Sequence, residues 1–286
     1  MQKLIFINKS QEYNLWDKMW NERTVSQEIE TCEIELAPKL IFLKYLSKND
    51  KIIDGGCGFG KWVIYLYQRG YNIVGIDNTE ITISKIKNYD QNIPVRFGNI
   101  LNLEYPDNYF DAYISMGVIE HFEKGPHKAL KEAHRVLKPG GLLFVSTPTV
   151  NVFRKVFIGP LLKILYFFPY LMEVLELLFS KSKIDENEDN NIKGYHYHFL
   201  EYRFTISELK KFLKQTNFSI IDSIPHDLFG SNQYAIGLTI DFPFLKKKTG
   251  EKFKLNRIGQ ILNRIFSYIS PWISTASILC VAKVIK

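Results

Sequence analysis

Cysteine is scarce in this chain, with three among 286 residues: Cys32, Cys57 and Cys280. An odd, widely spaced set supplies neither a disulfide framework nor a zinc site. Long apolar runs are also missing. The richest apolar region, around residues 150–200, has Ile164–Met172 as its longest uncharged run, and Pro169 interrupts it. Roughly 20 apolar residues are needed to cross a bilayer, so no spanning segment is expected. The opening residues Met1 to Ser10 carry an apolar run too short for a secretory signal, and no cleavage site follows. A reducing, cytoplasmic setting is the expectation. Acid is nearly absent from the last stretch: residues 242–286 hold nine Lys/Arg and the single acid Glu251, a net +8 out of an overall +7. The basicity therefore belongs to one peripheral segment, and the remainder is close to neutral. A basic chain invites a nucleic-acid reading, but here the charge lies outside the nearly neutral core of strands and helices described next.

What is present is an alternation of strand and helix signals, the mark of a parallel sheet covered by helices. Residues 1–48 read as a polar helical segment containing Trp16 and Trp20. Short apolar strands are then expected at 51–54, 71–76, 94–97, 110–115 and 142–146, with helices at 61–69, 80–88 and 127–137 between them. Lys138-Pro-Gly-Gly141 reads as a helix terminator. Thr205-Ile-Ser-Glu208 is a capping box opening a further helix, and strands follow at 218–224 and 278–284. Two insertions, about 150–200 and 226–275, decorate one core domain spanning 49–286. No internal repeat is visible.

The strongest local signal is Ile52-Ile-Asp54-Gly55-Gly56-Cys57-Gly58-Phe59-Gly60, a buried strand running through glycines into a helix. Glycine is needed where a ligand approaches the backbone too closely for a Cβ, and amides at the helix start are expected to favour an anionic ligand group. The spacing excludes the dinucleotide fingerprint Gly-x-Gly-x-x-Gly. Counting from Gly56 the third glycine falls on Lys61, and from Gly58 on Val63. Asp77, ending the second strand with Asn78 beyond it, can accept hydrogen bonds from ribose hydroxyls. Asn99 and Ile100 follow the third strand, and Met116 and Gly117 the fourth.

These residues resemble the class I S-adenosylmethionine-dependent methyltransferase superfamily, and within it the small-molecule branch that includes ubiquinone and menaquinone biosynthesis methyltransferases. Asp54, Gly56, Gly58 and Gly60 match Asp-x-Gly-x-Gly-x-Gly, Val118-Ile-Glu-His-Phe122 matches the segment after the fourth strand, and Arg135–Leu143 matches a further diagnostic stretch. The resemblance implies a Rossmann-like doubly wound α/β fold. Its seven-stranded sheet would run 3-2-1-4-5-7-6 with the seventh strand antiparallel, and the insertions would form a helical cap. It also implies S-adenosylmethionine as methyl donor. The loop of Asp54, Gly55, Gly56, Cys57, Gly58 and Gly60 would face its amino-acid part, and Asp77 its ribose. Asn99 and Ile100 would face the adenine, and Asn78, Met116 and Gly117 are the remaining expected donor contacts. The family often carries Asp where Asn99 stands; an Asn carbonyl also accepts from an amino group.

Because the donor is activated by its own charge, a protein base is needed only for a hydroxyl or acidic carbon. His121 and His198 are the candidates, with His196 beside the latter and His134 assigned to structure. The acceptor is expected to be small or lipid-linked. Ile258, Ile261, Leu262, Ile265, Phe266 and Ile269 have helical spacing, with lysines ahead of them. Such a helix suits either a lid over the acceptor or peripheral contact with an anionic membrane face. Two alternatives have less support. A nucleic-acid methyltransferase acting on base amines would carry Asn/Asp-Pro-Pro-aromatic where Ser115-Met-Gly-Val118 stands. A non-catalytic S-adenosylmethionine-binding protein shares the fold.

Overall fold

The computed structural model describes residues 2–8, 23–151, 154–158, 196–226, 236–248 and 254–286. Strand β1 (Gln2–Asn8) is followed by helices α1 (Val25–Ile34) and α2 (Leu36–Tyr45). The core then alternates β2 (Lys51–Gly55), α3 (Lys61–Tyr67), β3 (Asn72–Asp77), α4 (Glu80–Tyr89), β4 (Val95–Phe97), β5 (Phe110–Met116), α5 (His127–Val136) and β6 (Leu137–Pro148). After β7 (His196–Arg203) come α6 (Ile206–Gln215), β8 (Phe218–His226), α7 (Ile236–Asp241), α8 (Arg257–Ile269) and β9 (Ser277–Val284).

Seven strands form one sheet in the order β4-β3-β2-β5-β6-β9-β8. The five from β2 to β6 run parallel, and β9 is antiparallel to both β6 and β8. This is the order expected from the resemblance. The strands are apolar on both faces, as a helix-covered sheet requires, and successive side chains enter opposite layers. Ile52, Ala112, Ile114, Phe144, Leu279 and Val281 face the layer built by α1–α4. Ile53, Tyr113, Leu143, Val145, Ile278 and Cys280 face the layer built by α5 and α6. Phe42 of α2 meets Trp62 and Phe144 edge-on, at 5.1 and 5.4 Å between centroids, so the N-terminal helices share the central core.

Three expectations need correction. Residues 2–8 are not helical: β1 pairs antiparallel with β7, whose sequence partner lies nearly two hundred residues away. Trp16 and Trp20 lie outside the described residues. The stretch 196–203, which begins inside the insertion expected to be a helical cap, is a strand paired along one edge with β1. Lys138–Gly141 does more than end a helix. β6 begins at Leu137, and the register jumps from Phe110↔Leu137 to Ala112↔Leu142, so the Lys-Pro-Gly-Gly segment bulges out of the ladder. Gly140 takes φ 75° there, and Lys138 Nζ reaches Asp111 at 2.6 Å. The capping box at Thr205–Glu208 forms as read. All three cysteines are free. Among the described residues no helix is long and apolar enough to cross a membrane.

Candidate active site

Strand order reverses between β2 and β5, and a cavity of about 360 Å³ opens at their carboxyl ends. That is where open α/β sheets bind ligands, and the size suits a small organic molecule. Gly56, Cys57 and Gly58 line it from the loop after β2, Asp77 and Asn78 from β3, Asn99 and Ile100 beyond β4, and Met116 and Gly117 from β5. Nine of the twelve residues expected to hold a donor thus converge on one space.

The other three support the wall. Asp54 is buried at 2% exposure at the foot of the loop. A Cβ on Gly55 would collide with the Tyr113 hydroxyl, and Gly60 caps α3 with a left-handed backbone, packed on Ile86. Gly56 and Gly58 also adopt positive φ, 78° and 53°, and a Cβ on Gly56 would come within 2.7 Å of Val118.

The loop does not present the row of amides that its glycines suggest. Gly56 and Cys57 donate their N–H groups to the Ile76 carbonyl at 2.7 and 3.1 Å, and Gly58 donates to Asp77 Oδ2 at 2.8 Å. Gly60 donates to Cys57 O at 2.8 Å. The Gly56, Cys57 and Gly58 amides thus bind the loop to β3 and the Gly60 amide closes the loop on itself, so they are engaged in the fold; the first turn of α3 begins beyond them at Lys61. Asp77 also accepts from Thr79 N at 2.9 Å and from the Thr82 hydroxyl at 3.4 Å. A carboxylate offers about four acceptor sites, so Asp77 builds the loop while keeping acceptor capacity toward the cavity.

Charge decides what the cavity suits. Glu28 of α1 and Asp77 line it, and Asp54 stands behind. Burial, with Asp77 close by, pushes the Asp54 carboxyl up to about 7. The lining cation Lys61 is held at 2.5 Å by Glu35, whose own carboxyl burial pushes upward. Arg23 pairs with Glu28 at 2.9 Å, as Glu35 does with Lys61, so the lining charge left over is the Asp77 carboxylate, which disfavours a diphosphate and favours a cationic ligand.

His121 lies in the single turn Ile119–His121 after β5 and lines the same cavity. Its Nδ1 sits 2.8 Å from the Leu200 carbonyl. A carbonyl can only accept, so Nδ1 carries the proton and Nε2 is the acceptor nitrogen of the neutral ring. Burial holds its pKa below the ordinary histidine value. Glu120 beside it is buried, its pKa pushed well up by burial and then by Glu201, and its Oε2 has no partner. His198 is brought to this region only through its backbone, paired with Phe6; its side chain lies outside the described residues. His134 bonds the Ile285 carbonyl at 3.2 Å on the outer layer, a structural position.

Sequence reasoning passed over Glu28, Phe59, Lys61, Thr79, Gly98, Val118 and Phe122, all of which line the cavity. Glu28 had no signal to find it by, since only the packing of α1 on α3 carries it there. Thr79, Gly98 and Val118 each adjoin a residue that was named, and adjacency could have found them.

Strand order, switch-point cavity and glycine loop together define a Rossmann-like doubly wound α/β domain, and within it residues 53–145 match a family model described as a methyltransferase domain. Among curated proteins the chain is similar to demethylmenaquinone methyltransferase of Staphylococcus epidermidis, 32% identical over 148 residues, which is 48% of this chain and 58% of that protein. The chain thus spans little more than half the length of that relative. Among solved structures, a SAM-dependent methyltransferase from Archaeoglobus fulgidus shares the fold with a TM-score of 0.54 at 13% identity, over 94% of this chain and all of that one. Another from Methanosarcina mazei does so at 0.52 and 19% identity, over 88% and 99%.

Proposed function

We propose that this chain is an S-adenosylmethionine-dependent methyltransferase acting on a small, apolar or lipid-linked acceptor. The observation that carries it is the negative cavity at the sheet switch point, lined by Gly56, Gly58, Asp77 and Asn99. S-adenosylmethionine would supply there a methyl group on a positively charged sulfur, already activated for displacement. In this reading Asp77 accepts from ribose hydroxyls, and the Asn99 carbonyl accepts from the adenine amino group over Ile100. Gly56 and Gly58 let the amino-acid portion lie against the backbone, and Asn78, Met116 and Gly117 complete the lining around the donor. Orientation of an acceptor in line with the methyl group, away from water, is the remaining task of the protein. A quinone-like acceptor is favoured by the name of the staphylococcal relative.

Isothermal titration tests the donor. S-adenosylmethionine should bind, and S-adenosylhomocysteine, which lacks the sulfonium charge, should bind more weakly; uptake of a nicotinamide dinucleotide in their place would sink the reading. His121, neutral and with Nε2 as acceptor, is the base if the acceptor is a hydroxyl or acidic carbon; His198 is the other candidate. Turnover should fall about 100-fold or more in the responsible alanine variant, with donor affinity within a few-fold. Unchanged turnover in both variants removes a histidine base.

A further inference from the structure

We infer that α8 and the turn before it form a docking surface for an anionic lipid bilayer. The helix is apolar on two sides. Leu262 and Phe266 pack on the small core of Leu238, Leu245 and Leu255, with Gly259 and Asn263 buried beside them. Ile258, Ile261, Ile265, Tyr268 and Ile269 point the other way and are 47–92% exposed. Their spacing, i, i+3, i+7, i+10 and i+11, places them along one face. Phe244 is 73% exposed, and its carbonyl accepts from Asn256 at the start of the helix. Among the described residues, the isoleucine side of this helix, already anchored by its inner face, joins none of the three apolar clusters.

Charge complementarity names the occupant. Arg257 and Arg264 border the isoleucine stripe, and Lys246, Lys247 and Lys248 stand exposed beside the helix start, where Lys247 N bonds Lys254 O. Glu251 is the one acid in residues 242–286. Isoleucines and aromatics rimmed by Arg and Lys match the acyl–headgroup boundary of an anionic leaflet. The placement fits as well. α8 leads through Pro271–Ile273 into Ser277, which pairs with Pro148 at the carboxyl end of β6. The docking face therefore rises from the sheet edge on which the cavity opens.

The test is co-sedimentation of the full chain with vesicles of phosphatidylglycerol and phosphatidylcholine, against pure phosphatidylcholine, at 50 and 500 mM salt. No methyl donor is present, so the outcome is separate from that of the donor titration. Binding is expected to anionic vesicles at low salt and to weaken at high salt. Ile261→Glu/Ile265→Glu should lose roughly tenfold or more per isoleucine. Arg257→Glu/Arg264→Glu should lose about fivefold or more per charge. Both pairs are exposed, so Tm should hold in each. Leu40→Glu, on the exposed apolar side of α2, serves as the control and should bind as wild type. The inference is overturned if wild type ignores anionic vesicles, if both α8 variants bind normally, or if Leu40→Glu alone abolishes binding. It is also overturned if the α8 variants merely convert a vesicle-inert dimer to a monomer in sedimentation.

Discussion

Asp54 and Asp77 show how one residue serves fold and ligand together. Asp77 ties Gly58 and Thr79 to the end of β3, and its charge helps raise Asp54 to about 7. Asp54 is therefore a carboxyl that the folded chain keeps protonated at pH values where the unfolded chain has lost the proton. Its folded pKa lies above the unfolded value, so its contribution favours folding below about pH 4 and erodes as pH rises toward 7. Asp54→Asn should thus flatten the fall in Tm between pH 5 and pH 8, relative to wild type without ligand. A cation in the cavity should draw the carboxyl back toward ionisation. Donor binding at pH 6.5 is then expected to release a fraction of a proton, and affinity to climb as pH rises to about 7. Titration in buffers of different ionisation enthalpy measures this, and zero proton release there would count against a cationic ligand over Asp54. The aspartates and glycines were legible from their order along the chain. The destination of the loop amides was not, because it depends on the Ile76 carbonyl of a neighbouring strand.

Single elements were legible where their signals are local. The capping box at Thr205 and Glu208 and the alternation of β2, β3 and β5 needed no partner to be recognised. β1 and β7 were missed because each is a strand only in the presence of the other. The Arg135–Leu143 stretch was read as a family mark, and the structure supplies a physical reason for its arginine. Arg135 bonds both Glu132 oxygens at 2.7 and 2.9 Å, Asp107 at 2.8 Å, and the Leu103 and Tyr105 carbonyls at 3.0 and 2.8 Å. One planar guanidinium thus fastens the approach to β5 onto α5, a task that three ammonium donors cannot repeat. Arg135→Lys should lower stability by roughly 2 kcal/mol in a denaturant titration. Donor affinity should stay unchanged, because none of these partners lines the cavity.

The whole molecule is more integrated than a helical segment followed by an enzyme domain. α1 brings Glu28 to the cavity, Glu35 clasps Lys61, and Phe42 sits in the sheet core. Ligand binding should therefore be felt in the first helices. Donor at about 100 times its Kd should stabilise the chain by about 2.7 kcal/mol, and amides of α1 should gain hydrogen-exchange protection along with the loop after β2. Protection confined to the loop would mean that α1 does not help to close the site.

Order along the chain was enough to read the class of fold, the glycine loop and most of the residues that meet at the cavity. Those signals are periodicity, glycine spacing and the family resemblance that the motifs carry, all of which are properties of neighbouring residues. Only the tertiary structure decided the sign of the cavity's charge, the pairing of β1 with β7, and which side of α8 is left exposed. Each of those depends on groups that are distant along the chain and adjacent only after folding.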